Sequence, residues 1–171
     1  MWPIAQPLST ERLELEPLTV DHAPEMVDVL ADPSLYEFTG GEPPSEAELV
    51  ARYLRQAKGE SPDGRQGWLN WIVRRREDGE AVGSVQATLR RPDLAELAWV
   101  IGNRAQGYGF STEATAAVIG WLGDNGVVEF EAHIHPQHAA SQAVATRLGF
   151  SPTDSLKAGE LRWELRTRCH N

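Results

Sequence analysis

The stretch AELAWVIGNRAQGYGFSTEATAAVIGWL, from Ala95 to Leu122, changes character twice. It opens as a short apolar run of strand type, passes through a glycine-punctuated loop, and closes with apolar residues at helical spacing. A glycine loop that feeds a helix start favours a phosphate-bearing ligand, because the first helical N–H groups have no partner inside the helix. Several unrelated enzyme classes use this device, so its surroundings must decide between them.

Upstream, ERLELEPL alternates apolar and charged residues with Leu13 and Leu15 on one face, which predicts a first strand. TVDHAPEMVDVLADP follows as a helix, with Thr19 or Asp21 as its N-cap and Pro33 as its stop. The segment from Ser45 to Lys58 predicts a second amphipathic helix, with Leu49, Tyr53 and Leu54 on one side. WLNWIVRRR and EAVGSVQATLRR flank the turn residues Asp78 and Gly79, a hairpin pattern. AELAWVI is then a third consecutive strand.

Downstream, VVEFEAHIH predicts a strand with Val128, Phe130, Ala132 and Ile134 on one face. AASQAVATRLGF is a short helix stopped by Gly149, and ELRWELRT is a closing strand. The order β-α-α-β-β-β-α-β-α-β implies an α+β domain spanning residues 1–171. Its mixed, mostly antiparallel sheet has six to seven strands, with about four helices on its faces.

Composition narrows the function. The chain has 171 residues, 41% hydrophobic and 24% charged, as an ordinary globular domain does. Its 16 Lys+Arg against 25 Asp+Glu give a net charge of −9, which repels a nucleic-acid backbone. No apolar run approaches the ~20 residues of a membrane span. The N-terminus lacks the basic and apolar regions of a signal peptide, so the expected location is cytoplasmic. The single cysteine, Cys169, reads as an incidental residue.

Three phosphate-loop templates compete for Gly102 to Gly109. A P-loop needs a lysine and a Ser/Thr after its last glycine, but Tyr108 and Gly109 follow Gly107. A dinucleotide fingerprint needs a third glycine where Thr112 stands, and belongs in the first βα turn. The acetyl-CoA loop, Arg/Gln-x-x-Gly-x-Gly/Ala, is met by Arg104, Gly107 and Gly109 after the fourth strand.

At this point the chain resembles the GNAT superfamily of N-acetyltransferases, and within it the RimJ/RimL-like branch. LSTERLELEPLTVDHAPEMVDVL is similar to the branch's opening strand and helix, VGSV and AELAWVI to its third and fourth strands. GYGFSTEA is similar to its loop–helix junction, and HPQHAASQAVATRLGF to its Asn-x-x-Ser…Leu-Gly-Phe segment. The resemblance implies acetyl-CoA as donor, no metal, and a primary amine as acceptor, either a protein N-terminus or a small molecule. Transfer is direct, in a ternary complex. A homodimer is the assembly it suggests. The alternative is a CoA-binding accessory domain without turnover.

The resemblance also implies site residues. The fourth and fifth strands splay, and the pantetheine arm pairs with the backbone of Val100 and Ile101, with Trp99 nearby. The pyrophosphate meets the amides of Arg104, Ala105, Gln106, Gly107, Tyr108 and Gly109, with the Arg104 guanidinium as a charged partner. Glu96 is the candidate base and Ser141 the candidate proton donor or pantetheine contact. His138 stands where the family carries an Asn that bonds the cofactor, and Ala145 where many relatives carry a tyrosine. Tyr36, Glu37 and Phe38 are the candidate acceptor-side residues. Glu113, in the first turn of its helix, reads as structural. His133, His135 and His138 read as polar surface rather than a metal site.

Overall fold

The structure, a computed structural model, describes residues 1–168, so Cys169 lies outside them. Strand β1 (Leu8–Ser9) pairs antiparallel with β2 (Leu13–Pro17), whose Leu13 and Leu15 are buried as their alternation predicts. A single 3-10 turn (Val20–His22) leads into helix α1 (Ala23–Val29). Pro33 does not simply end that helix; it opens a second 3-10 turn, Pro33–Tyr36. Helix α2 (Glu46–Gln56) starts at a reciprocal cap, in which Ser45 Oγ accepts from the Glu48 N–H.

Strands β3 (Gly67–Arg75) and β4 (Ala81–Arg91) form the expected hairpin, and β5 (Leu94–Ile101) extends it. Then follow α3 (Phe110–Asp124), β6 (Glu129–Ile134), α4 (Ala139–Leu148), β7 (Ser151–Lys157) and β8 (Glu160–Arg166). The sheet order is β1-β2-β3-β4-β5-β6-β8-β7, antiparallel except for the parallel β5–β6 pair.

Eight strands thus replace the expected six to seven. β1 has only two residues, too few to show a period. β7 is almost wholly exposed and lacks apolar alternation; it forms because Ala158 and Gly159, both at positive φ (52° and 81°), turn the chain tightly against β8. Leu54 also departs from expectation and is 55% exposed. It follows Tyr53 by one residue, which rotates it about 100° off the buried line.

Two cores flank the sheet. Helices α3 and α4 cover one face, where Ala114, Val118, Leu122 and Ala145 pack with Trp71, Leu97 and Phe130. Helices α1 and α2 cover the other through Met26, Leu49 and Tyr53 against Ile72.

The parallel pair opens partway along. Pairing with β6 runs through Leu94, Ala95 and Glu96 and ends at Glu96–Glu131, while β5 continues to Ile101. This splay leaves one edge of β5 uncovered. On its other edge β5 hugs β4 closely: a Cβ on Gly83 would lie 2.1 Å from the Val100 carbonyl oxygen, so only glycine fits there.

Candidate active site

Strand parity decides which backbone groups face the opening. The Gly102 N–H donates to Val82 O at 2.8 Å, and Ile101 sits opposite Gly83. In an antiparallel ladder this makes Val100–Ser84 the hydrogen-bonded pair, so the amide and carbonyl of Val100 point at β4. Trp99 and Ile101 therefore present the open edge, and Val100 contributes its side chain to the cleft. The backbone groups of Val100, expected at the open edge, are thus turned to β4, and those of Trp99 face the opening in their place. The Ile101 carbonyl already accepts from Gln106 Nε2 at 2.9 Å, which leaves its N–H free.

The glycine loop delivers a run of unpartnered donors. A 3-10 turn, Asn103–Ala105, uses the amides of Ala105 and Gln106, which donate to Gly102 O and Asn103 O. Those two amides are thus engaged inside the loop rather than offered to a ligand. From Gly107 onward the pattern changes. Gly107 and Gly109 take φ of +88° and +80°, and Gly109 caps α3 without any side-chain hydrogen bond. The N–H groups at the start of α3 are left free to donate. Thr112 Oγ1, in the same first turn and on the cleft wall, is buried without a hydrogen-bond partner. An orphaned hydroxyl beside free helix amides is the chemistry a pyrophosphate requires.

Two arginines add positive charge that the motif does not show. Arg12 reaches over from the β1–β2 turn, its guanidinium 4.6 Å from the Phe110 ring centre and close to Gly109. Arg147, on α4, lines the cleft. Arg104 instead lines a neighbouring groove with Glu25, Asp28 and Asp32, on the far side of the loop. Glu113 holds Arg12 in place: its carboxylate accepts from Arg12 Nε at 2.7 Å, from the Arg12 amide at 3.0 Å, and from Thr10. Burial alone would raise the Glu113 pKa, but these hydrogen bonds outweigh it and hold the carboxyl below its ordinary range. The structural role expected of Glu113 is thus a clamp between the β1–β2 turn and α3.

From this loop a single cleft of about 950 Å³ runs past the β5 edge to α4 and the segment after α1. That segment is pinned at both ends. Asn103 Nδ2 donates to Ser34 Oγ at 2.9 Å, and Phe38 stacks on His138 with ring centres 4.7 Å apart. Tyr36 Oη donates to Leu30 O, and Tyr36, Glu37 and Phe38 all line the cleft. On α4, Ser141 Oγ lies 3.4 Å from His138 Nε2, and both face inward. Burial pushes the His138 pKa below its ordinary value; Glu37 opposes that shift and His135 adds to it.

The model of the family described as Acetyltransferase (GNAT) domain matches residues 12–151. The chain is a GNAT acetyltransferase. An acetyltransferase from Agrobacterium tumefaciens has the same fold at 23% identity, with 98% of each chain covered and a TM-score of 0.76. An acetyltransferase from Thermus thermophilus is 22% identical over 95% of this chain and 100% of its own, with a TM-score of 0.74. RimL, a ribosomal alpha-N-protein acetyltransferase in complex with coenzyme A, is 15% identical over 94% and 98%, with a TM-score of 0.76. A comparison with curated proteins finds no match. GNAT acetyltransferases are acyltransferases that use acetyl-CoA, and the free amides, the open β5 edge and orphaned Thr112 fit that donor.

Not all expected residues of this GNAT acetyltransferase converge. Glu96 is absent from the cleft lining; its carboxylate is engaged by Arg90 and lies 3.6 Å from His133 Nε2. Ala145 is fully buried in the core, and the adjacent residue on the cleft wall, Val144, has no proton to give. Tyr108 is 59% exposed and stacks on Phe110. Among the described residues there is no His/Cys/Asp/Glu group suited to a metal, and no helix long and apolar enough to cross a membrane. Sequence reasoning missed Arg12, Arg147 and Thr112. Thr112 sat in plain view as the missing third glycine, whereas Arg12 and Arg147 lie in segments read only for their strand and helix patterns, which do not show that the fold brings them to the loop and the cleft.

Proposed function

We propose that this GNAT acetyltransferase moves the acetyl group of acetyl-CoA directly to a primary amine, with both substrates bound together. The observation that carries this reading is the continuity of the cleft, which joins the free amides of α3, the open β5 edge and the Tyr36–Phe38 segment. A donor held along α3 and β5 presents its thioester beside Ser141, and an amine entering past Phe38 meets it there. Among the described residues the wall carries no thiol that could take the acetyl group first. The pyrophosphate contacts we assign are the amides from Gly107, Thr112 Oγ1, and the guanidinium groups of Arg12 and Arg147.

The acceptor class we assign is the N-terminal amine of a protein or peptide, in the RimJ/RimL manner, with Glu37 at the mouth to attract its ammonium. The test is release of free CoA thiol from acetyl-CoA with N-terminal peptides, polyamines and aminoglycosides, alongside calorimetric binding of acetyl-CoA. Turnover confined to the peptides supports the assignment. Turnover confined to polyamines or aminoglycosides would move it to a small-molecule enzyme. Acetyl-CoA binding with no turnover would leave a CoA-binding accessory domain.

A further inference from the structure

Six titratable side chains line the cleft: Tyr36, Glu37, Arg52, Tyr53, His138 and Arg147. An amine that attacks a thioester must first lose a proton, and a lining side chain that can accept it near neutral pH speeds that loss. The arginines stay charged, and burial raises the pKa of both tyrosines, which are already protonated at neutral pH. Glu37 is exposed at the mouth. His138 is left, half-buried beside Ser141 at the point where the cleft passes α4.

Its setting is specific. His138 occupies the N-cap of α4 yet makes no side-chain capping bond, so its ring is not spent on the helix backbone. Phe38 stacks on one face of that ring and fixes its plane at 19° to its own. Nε2 is turned toward Ser141 Oγ at 3.4 Å. The other polar side chains of α4 offer no base: Gln142 donates to Pro136 O, Thr146 donates to Gln142 O, and Arg147 stays protonated.

Resting on the acetyltransferase reading above, we propose that His138 is the catalytic base of this enzyme, taking the proton of the incoming ammonium through Ser141. The ammonium gives one proton to Ser141 Oγ as the Ser141 hydroxyl proton passes to His138 Nε2. The neutral amine then forms a C–N bond to the acetyl carbon, and the C–S bond breaks with its electron pair on sulfur. The second nitrogen proton moves through Ser141 to the departing thiolate, and His138 returns its proton to water. The products are an amide, CoA thiol and one proton. For Nε2 to accept, the neutral ring carries its hydrogen on Nδ1. The titratable groups that face the ring are Glu37 from the segment after α1 and His135 from the β6–α4 turn. Arg52 and Arg147 lie further along the same cleft.

The experiment compares wild type, His138→Asn and Ser141→Ala by acetyl-CoA calorimetry and by kcat against pH with the best acceptor of the amine panel. The expected result is acetyl-CoA Kd within about threefold for His138→Asn, since asparagine keeps a hydrogen-bonding group, and a kcat loss for Ser141→Ala of the same order as for His138→Asn. The wild-type profile falls on its acid side below pH 6.5, in line with a buried imidazole. His138→Asn loses that acid limb and about 10²-fold in kcat, the scale of a general base. Should no panel amine turn over, imidazole NMR decides, with His138→Asn identifying the signal. CoA must shift it, and it must titrate below the ordinary histidine value. Unchanged binding with an intact acid limb in His138→Asn, or an imidazole signal that ignores CoA, overturns the His138 assignment alone. Absence of acetyl-CoA binding by wild type overturns the acetyltransferase reading itself.

Discussion

Arg147 shows how a single side chain separates donor binding from catalysis. It lines the cleft from α4, and no carboxylate lies within salt-bridge distance of it among the described residues. Guanidinium–phosphate pairs are strong, charge-assisted contacts, yet salt screens an exposed pair. Arg147→Ala is therefore expected to weaken acetyl-CoA binding by about tenfold at low salt and by less at high salt, with kcat at saturation little changed. Calorimetry at two ionic strengths checks this. Glu96 makes the complementary case. Strand alternation correctly places it on the opposite face from Ala95 and Leu97, but alternation cannot show that Arg90, across the β4–β5 turn, claims its carboxylate. Glu96→Gln is expected to lower kcat by less than about tenfold, and a loss near 10²-fold would return the base role to Glu96.

At the scale of the element, the α3 N-terminus and the β5 edge work as one device. The loop was legible because Gly107 and Gly109 supply positive φ, and only glycine does so without a steric penalty. Gly109→Ala forces a Cβ into the left-handed region at a cost of about 1–2 kcal/mol and re-aims the first amides of α3. A loss of more than tenfold in acetyl-CoA affinity is expected, with a far-ultraviolet circular dichroism spectrum like wild type. Acetyl-CoA binding at wild-type affinity would remove the loop from the donor site. Strand β7 marks the opposite limit. SPTDSLK has no apolar period because neither of its faces is buried, so its strand character comes wholly from pairing with β8. Periodicity reports burial, and an exposed edge strand has none to report. The split between β5 and β6 is invisible in the same way. It is a property of where two ladders part, and it entered the sequence reading only by resemblance.

For the molecule as a whole, charge and ligand linkage set the stability. Glu16 is held below its ordinary range by hydrogen bonds from Arg74 and then His22, and Glu113 by the Arg12 and Thr10 contacts that outweigh its burial. A carboxyl whose folded pKa lies below its unfolded value stabilises the fold above the unfolded pKa, near 4.5, and loses that contribution as pH falls through the folded value. Thermal stability is therefore expected to drop steeply below pH 4.5. Glu113→Gln should flatten that drop, and parallel melting curves for both proteins would expose an error in the assignment. Ligand linkage extends the same logic to the cleft. The cleft we assign to the donor is shared between two halves of the sheet: β5 and α3 supply one wall, and α4, which follows β6, supplies the other. A ligand lying in the splay bridges both walls and binds only the folded chain. At a hundred times its Kd, acetyl-CoA is expected to add about 2.7 kcal/mol, which for a domain of this size raises Tm by roughly 5–10 °C. The Gly109→Ala protein should show no more than about half of that rise at the same concentration, since a tenfold weaker Kd leaves about 1.4 kcal/mol while both cores stay intact. A full rise in that variant would mean that the stabilising contacts lie elsewhere in the cleft, on α4 and the β5 edge.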